Sequence, residues 1–232
     1  MLGEFWVTGV DRQTTGVTQA GESVADVYSP WLLAVVDQVA TAPQALALLN
    51  GACAAAIVQH SARTLRYALA IAEREDVAVD HAALVHACLL HDLGASMMAT
   101  SAERFEVQGA DLAVQFLEQH EGEGWPQSRR EAVWAAIAVH TSPHIAERMS
   151  PLTRLVRLGV RADFGEDDLV DPSLRRAAEH DHPRGDVERV LSGVVVEAAL
   201  SDDRRAPMSS WPAGLLAAHR ASPDPDARLA AF

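Results

Sequence analysis

The chain has 232 residues, enough for one sizeable helical core and too few for a comfortable second one. Its net charge of −13 argues against general attraction to nucleic acid or to anionic lipid, so neither is expected as a partner. All 19 basic residues are arginine, which excludes phosphate-loop lysines, Schiff-base lysines and the reaction classes built on them.

Apolar residues make up 49% of the chain but aromatics only 5%, a balance that favours close-packed helices over a β-sandwich and predicts an all-α fold. Cys53 and Cys88 lie in alanine-rich helical patterns and read as small apolar thiols of a reduced compartment. No apolar stretch approaches the roughly 20 residues that span a bilayer. The first residues lack the basic start and apolar run of a secretory signal, so a cytoplasmic location is expected.

Residues 1–28 show no sustained period and read as an irregular arm that packs on the body or on another subunit, which leaves a homo-oligomer open. One helical domain is expected over 29–222, with its motif region at 50–165 and a frayed tail at 223–232. A helix starts at Ser29-Pro30, and Pro43 marks its end or the start of the next. A second covers roughly 44–75, with a break near Asn50-Gly51. Asp80 caps a third over about 81–93, which Gly94 ends in the manner of a C′ glycine. Further helices are predicted at about 107–120, 128–141 and 151–164, the last two bounded by Pro143 and opened by Pro151. The acidic 165–185 stretch, with its prolines and HDHPRGD, reads as an exposed connection. An amphipathic helix from Val187 and a last one near 211–220 complete the chain.

The chemistry lies in four of these helices. Cys53, Ile57, His60, Thr64, Tyr67 and Ile71 step by four and three, which sets His60 on an inward stripe. Leu84, Cys88 and His91 repeat the step with Asp92 beside them, as do Val133, Ile137 and His140, and Leu152, Val156, Gly159 and Asp163. Any one of these groups taken singly reads as a bonded core histidine or a capping carboxylate. Together they are harder to set aside, because a buried carboxylate costs several kcal/mol unless it is paired or bound to a cation. Arginine is the competing partner. A divalent ion answers two imidazoles and two carboxylates at once, and mixed nitrogen and oxygen ligation suits zinc, iron, manganese or nickel better than calcium. Of the remaining histidines, His81, His86 and His120 read as surface or helix-end residues, the His180, His182 pair as a solvated turn, and His144 as a loop neighbour of the site.

HSAR at 60–63, VHACLLHDLG at 85–94 and RLGVRADF at 157–164 resemble the motifs of the HD-domain metal-dependent phosphohydrolases, over roughly residues 50–165. The resemblance implies a helical bundle with one metal site in its core, and makes His60, His91, Asp92 and Asp163 the ligands of one divalent ion, zinc first among the candidates. HS-x-R, RFEVQGAD at 104–111 and AVWAAIAVHTSP at 132–143 are most similar to the cyanamide hydratase-like branch. Two-metal relatives place a histidine before the position of Gly109-Ala110 and a His-His pair at His140-Thr141; here a second ion would lack ligands.

Three readings follow. The first is a mononuclear hydrolase or hydratase that uses metal-activated water on a small nitrogenous substrate such as cyanamide or a nitrile, with His140, Glu106 or Asp92 managing the proton. In it, Arg63, Arg104 and Thr141 are the substrate-binding candidates, although Arg63 also reads as a structural ion pair. The second keeps the site but makes it a nucleotide or phosphomonoester phosphohydrolase, a reading weakened by HDLGASMM, which lacks the lysine often found after HD in such enzymes. The third is a non-catalytic HD module that binds a ligand. Arginines converging on an open pocket favour phosphate, and a filled coordination shell favours the binding module.

Overall fold

The computed structural model describes residues 28–121, 124–165 and 168–222. The arm expected over 1–28 therefore lies outside the described residues except for Tyr28, and the tail expected over 223–232 lies wholly outside them. Among the described residues there are ten α-helices and no strand: α1 (Pro30–Val36), α2 (Ala42–Ala52), α3 (Ala55–Arg74), α4 (His81–Leu90), α5 (Phe105–Glu121), α6 (Gln127–Ala138), α7 (Pro151–Asp163), α8 (Pro172–Asp181), α9 (Val187–Ser201) and α10 (Trp211–Ala221). The fold is the all-α bundle that composition predicts, and no helix of the described residues is long and apolar enough to cross a membrane.

Local chemistry sets most of the helix starts. The Asp80 carboxylate accepts from Ala83 N at 3.0 Å, the Ser150 hydroxyl from Thr153 N at 3.2 Å and the Ser210 hydroxyl from Ala213 N at 3.2 Å, which satisfies donors that a helix N-terminus leaves open. The break expected near Asn50-Gly51 falls at Cys53-Ala54, between α2 and α3. Helix α4 forms the centre of the bundle. Every residue from Ala83 to Leu90 is buried, and α2, α3, α6 and α7 all pack on it. A helix buried on all sides needs no amphipathic period, and the near-continuous apolar run of HAALVHACLL replaces the stripe seen elsewhere.

Two close approaches position the site. A Cβ at Gly159 of α7 would stand 2.6 Å from the Thr64 carbonyl oxygen of α3, so glycine lets these helices come together at the level of His60 and Asp163. A Cβ at Gly94 would stand 1.7 Å from the Phe105 carbonyl oxygen and 2.8 Å from Gly109 N, and a Cβ at Gly109 would stand 3.0 Å from Gly94 N. Gly94 lies in a 3-10 turn (Leu93–Ala95) and has no positive φ, so its role is close approach to α5 and not the left-handed cap expected from the sequence. The glycines of HDLG and EVQGAD thus pack on each other and hold Arg104, Phe105 and Glu106 beside the HD dipeptide. Gly94→Ala is expected to lower stability by about 1–3 kcal/mol in urea unfolding, since backbone and not a flexible side chain must yield. Unchanged unfolding would disprove the constraint.

The 165–185 segment departs from expectation. Asp171 accepts from Ser173 N at 2.7 Å and Pro172 opens α8, an Asp-Pro start signal inside what reads as an acidic connection. His182 at its end is fully buried, not solvated: its Nδ1 meets Gln59 Oε1 at 2.7 Å and its Nε2 meets Ser29 Oγ at 2.9 Å. Burial pushes its pKa down to about 4. His86, also expected at the surface, is buried with Nε2 2.9 Å from Thr41 Oγ1 and Nδ1 2.7 Å from the Ala82 carbonyl oxygen. His180 is exposed, as expected.

Candidate metal centre

His60 comes from the middle of α3, His91 and Asp92 follow the last turn of α4, and His140 follows the last turn of α6. All are buried, with only His140 retaining a trace of exposure. Each imidazole has its Nδ1 committed to a group that can only accept: Asp163 Oδ2 for His60 at 2.6 Å, the Cys88 carbonyl for His91 at 2.8 Å and the Ile137 carbonyl for His140 at 2.7 Å. The protons therefore sit on Nδ1, and the three Nε2 lone pairs are presented to one place. His60 Nε2 and His91 Nε2 face each other at 3.0 Å.

Asp92 completes the cluster. Its Oδ2 lies 3.5 Å from His60 Nε2 and 3.3 Å from His91 Nε2, and its Oδ1 lies 3.5 Å from His140 Nε2. Neither oxygen accepts a hydrogen bond, although both are buried. Opposed lone pairs beside an unsatisfied buried carboxylate need positive charge between them. The ligand atoms of His60, His91 and Asp92 lie within 4.8 Å of one another, and their separations suit neighbours around one divalent ion with bonds of about 2.0–2.2 Å. The residues present fit a metal.

The electrostatics follow from the same geometry. Burial lowers the pKa of His60, against the pull of Asp163 and Asp92. Burial also acts to lower His91, but the adjoining Asp92 carboxylate outweighs it and the net shift is upward. Asp92 is driven well below the usual carboxylate range, its burial being overcome by His91 and His140. Asp163 is driven down likewise, by His60 and Arg63 against burial.

The cluster opens into a cavity of about 790 Å³. His60, Asp92 and His140 form its floor, Arg104, Thr141, Arg157 and Arg161 supply polar wall, and Phe105, Phe164 and Trp211 supply aromatic wall. Arg157, Val160, Arg161 and Phe164 step by three, one and three along α7, a second stripe beside the one that carries Asp163. That spacing was legible in the sequence but was passed over in favour of the apolar face. Ser209, Ser210 and Trp211 reach the cavity from the start of α10, distant in sequence from the metal cluster.

Three expected site residues lie outside the cavity lining. Arg63 is not available to substrate: it is fully buried, its Nε and Nη2 grip Asp163 at 2.6 and 2.7 Å, and its Nη1 donates to the His182 and Pro183 carbonyls, both at 2.9 Å. Glu106 is fully buried behind the wall and is held by Arg104 and by the Thr141 hydroxyl. Asp163, expected as a ligand, has its carboxylate on the Nδ1 side of His60 and on Arg63, outside the His60, His91 and Asp92 cluster. Arg104, Thr141 and His140 do face the cavity, as expected.

Two imidazoles and a carboxylate, buried together in an all-α bundle, form a potential metal-binding site. Residues 57–163 match the family model described as HD domain, and the buried cluster is compatible with metal-dependent hydrolysis. No curated protein is significantly similar to the chain.

Proposed function

We propose that the protein is a hydrolase that uses one divalent ion, held by His60, His91 and Asp92, to add water to a small organic substrate bound in the cavity. The observation that supports it best is the meeting of two imidazole lone pairs and an unsatisfied buried carboxylate at the floor of an open cavity. An ion there would supply water of lowered pKa and polarise the electrophile. The opening of the cluster onto the cavity favours an enzyme over a binding module with a filled shell.

His140 stands on the cavity floor with its Nε2 beside Asp92 and its Nδ1 fixed by a carbonyl, so it is placed to take up or return a proton as water adds. His140→Ala is expected to keep its metal and lose about 100-fold or more in rate. Loss of the metal would make His140 a ligand, and an unchanged rate would make it structural.

For the substrate, the cavity favours the phosphomonoester or nucleotide reading over cyanamide. A volume of about 790 Å³ is of the size that encloses a drug-sized molecule, whereas cyanamide has a handful of atoms. Arg104, Arg157 and Arg161 line the same space and suit an anionic group. The nitrile or cyanamide reading is kept second, because Arg104 is paired with Glu106 while Arg157 and Arg161 share Glu147, which tempers the positive wall. Chain loaded in turn with Zn²⁺, Mn²⁺, Fe²⁺ and Ni²⁺ should release phosphate from nucleoside monophosphates or aryl phosphates. Hydration of cyanamide or small nitriles with no phosphate release would reverse the order, and a metal-loaded chain inert to both classes would return the protein to the binding module.

A further inference from the structure

The cavity has a polar wall of arginines and an aromatic wall, and part of the aromatic wall comes from outside residues 57–163, the stretch that matches the HD domain model. Trp211 opens α10 and packs against a second apolar cluster, in which Ile57, Phe105, Leu191, Val195 and Leu215 are buried. Pro212, Leu215 and Leu216 are the buried residues of α10, whereas the Trp211 indole is only partly buried and lines the cavity. The three buried residues anchor the helix. A large apolar ring left partly open in its first turn is the feature that calls for a ligand. Two ring contacts tie that indole to the floor: its centroid lies 5.6 Å from that of Phe105, and Phe105 lies 5.6 Å from His140. Phe105 is itself buried, so Trp211 presents the aromatic surface on that side, while Phe164, partly buried and 4.7 Å from the His60 ring, presents it at the floor. Ile145, 59% exposed, continues the apolar lining from the connection between α6 and α7. Ser209 and His144, just before Trp211 and Ile145, have φ of 66° and 65°. Side chains other than glycine hold that left-handed conformation only where the surroundings fix it, so both lips of the cavity are set in place.

We propose, resting on the reading of this cavity as a substrate site, that Trp211 is a specificity-determining residue that stacks on a planar ring carried by the substrate. Arg104, Arg157 and Arg161 on one wall and Trp211 on another suit a molecule with an anionic end and a flat apolar end. Stacking reads the face of a ring and not its hydrogen-bonding edge, so Trp211 selects for the presence of a ring and tolerates its substituents. Substrates with a ring are therefore chosen over ringless ones that carry the same reacting group. Because the indole lies beyond the matched HD stretch, this preference belongs to the α9–α10 end of the chain and not to the metal cluster.

The test is titration calorimetry on the full chain in the presence of Zn²⁺, with two probe pairs that differ in a ring: phenylphosphonate against methylphosphonate, and benzonitrile against acetonitrile. Within the pair it accepts, the parent is expected to bind the phenyl member about 10-fold or more tightly than the methyl member, the scale of one stacked ring. Trp211→Leu, which keeps apolar bulk against the second cluster, should lose most of that preference and bind the methyl member unchanged. Trp211→Phe should restore most of it. No phenyl preference in the parent, an unchanged preference in Trp211→Leu, or equal loss of both members overturns the ring subsite and leaves the phosphate reading standing. Phosphonates that fail to bind, beside a Trp211-dependent preference for benzonitrile, overturn the phosphate reading and support the subsite, and a chain that binds no probe overturns both. If Trp211→Leu does not fold by circular dichroism, a crystal structure of the parent with phenylphosphonate decides. The phenyl ring packed on Trp211 supports the proposal, and the ring placed elsewhere overturns it.

Discussion

Asp92→Ala is expected to retain no stoichiometric Zn²⁺ and to lose activity by well beyond the roughly 10–100-fold that follows removal of a supporting residue. Asp92 lies 3.3–3.5 Å from three imidazole nitrogens, and it is the one carboxylate of the cluster with no hydrogen-bond partner for either oxygen. Without it, the cluster offers two neutral imidazoles, fewer than the three protein ligands that a catalytic zinc site takes. Because binding free energy is also folding free energy, the melting temperature of the parent should rise on adding Zn²⁺ while that of the variant stays unchanged. Metal analysis after dialysis, with circular dichroism to confirm helix content, checks both outcomes. Full metal occupancy in Asp92→Ala would remove the foundation of the proposed function.

Arg63→Met is expected to produce the largest stability loss, about 3–5 kcal/mol, because it strips the main partner from a buried carboxylate while preserving the volume of the side chain. Arg63 links three elements: it originates on α3, grips Asp163 at the end of α7 and donates to the backbone after α8. Its loss should therefore also loosen the 182–185 segment, where Arg184 bonds the Asp163 backbone carbonyl and Glu188. For a domain of this length each kcal/mol corresponds to roughly 2–4 °C, so the melting temperature should fall by about 10 °C. The double variant Arg63→Met, Asp163→Asn should recover part of the loss, since the stranded charge is then removed. A fall of less than about 1 kcal/mol in the single variant, or no recovery in the double, would show that the pair does not act as a unit.

The sequence by itself determined the elements and the identity of the central groups. Helical steps of four and three placed His60, His91 and His140 on inward faces, and Asp80 and Pro151 marked helix starts that the structure confirms. These features are legible because period and capping are local, resolved within one or two turns of chain. Even the helix that sequence reading passed over, α8, carried its local mark in Asp171-Pro172. Tertiary structure alone decided what each charged group meets. Asp92 and Asp163 are both inward carboxylates at helix ends, yet one is left without a partner among imidazoles and the other is gripped by Arg63, a residue 100 positions away. Glu106 and Arg104 look alike as site candidates until α5 docks through Gly94 and Gly109 and turns only the guanidinium to the cavity. His86 and His182 are read from the sequence as surface or solvated residues, yet both are buried where Thr41, Ser29 and Gln59 supply hydroxyl and amide partners for their nitrogens. A side chain's partner depends on which faces of distant helices come together, and that is fixed by close approaches such as Gly159 on Thr64, which local sequence spacing does not encode.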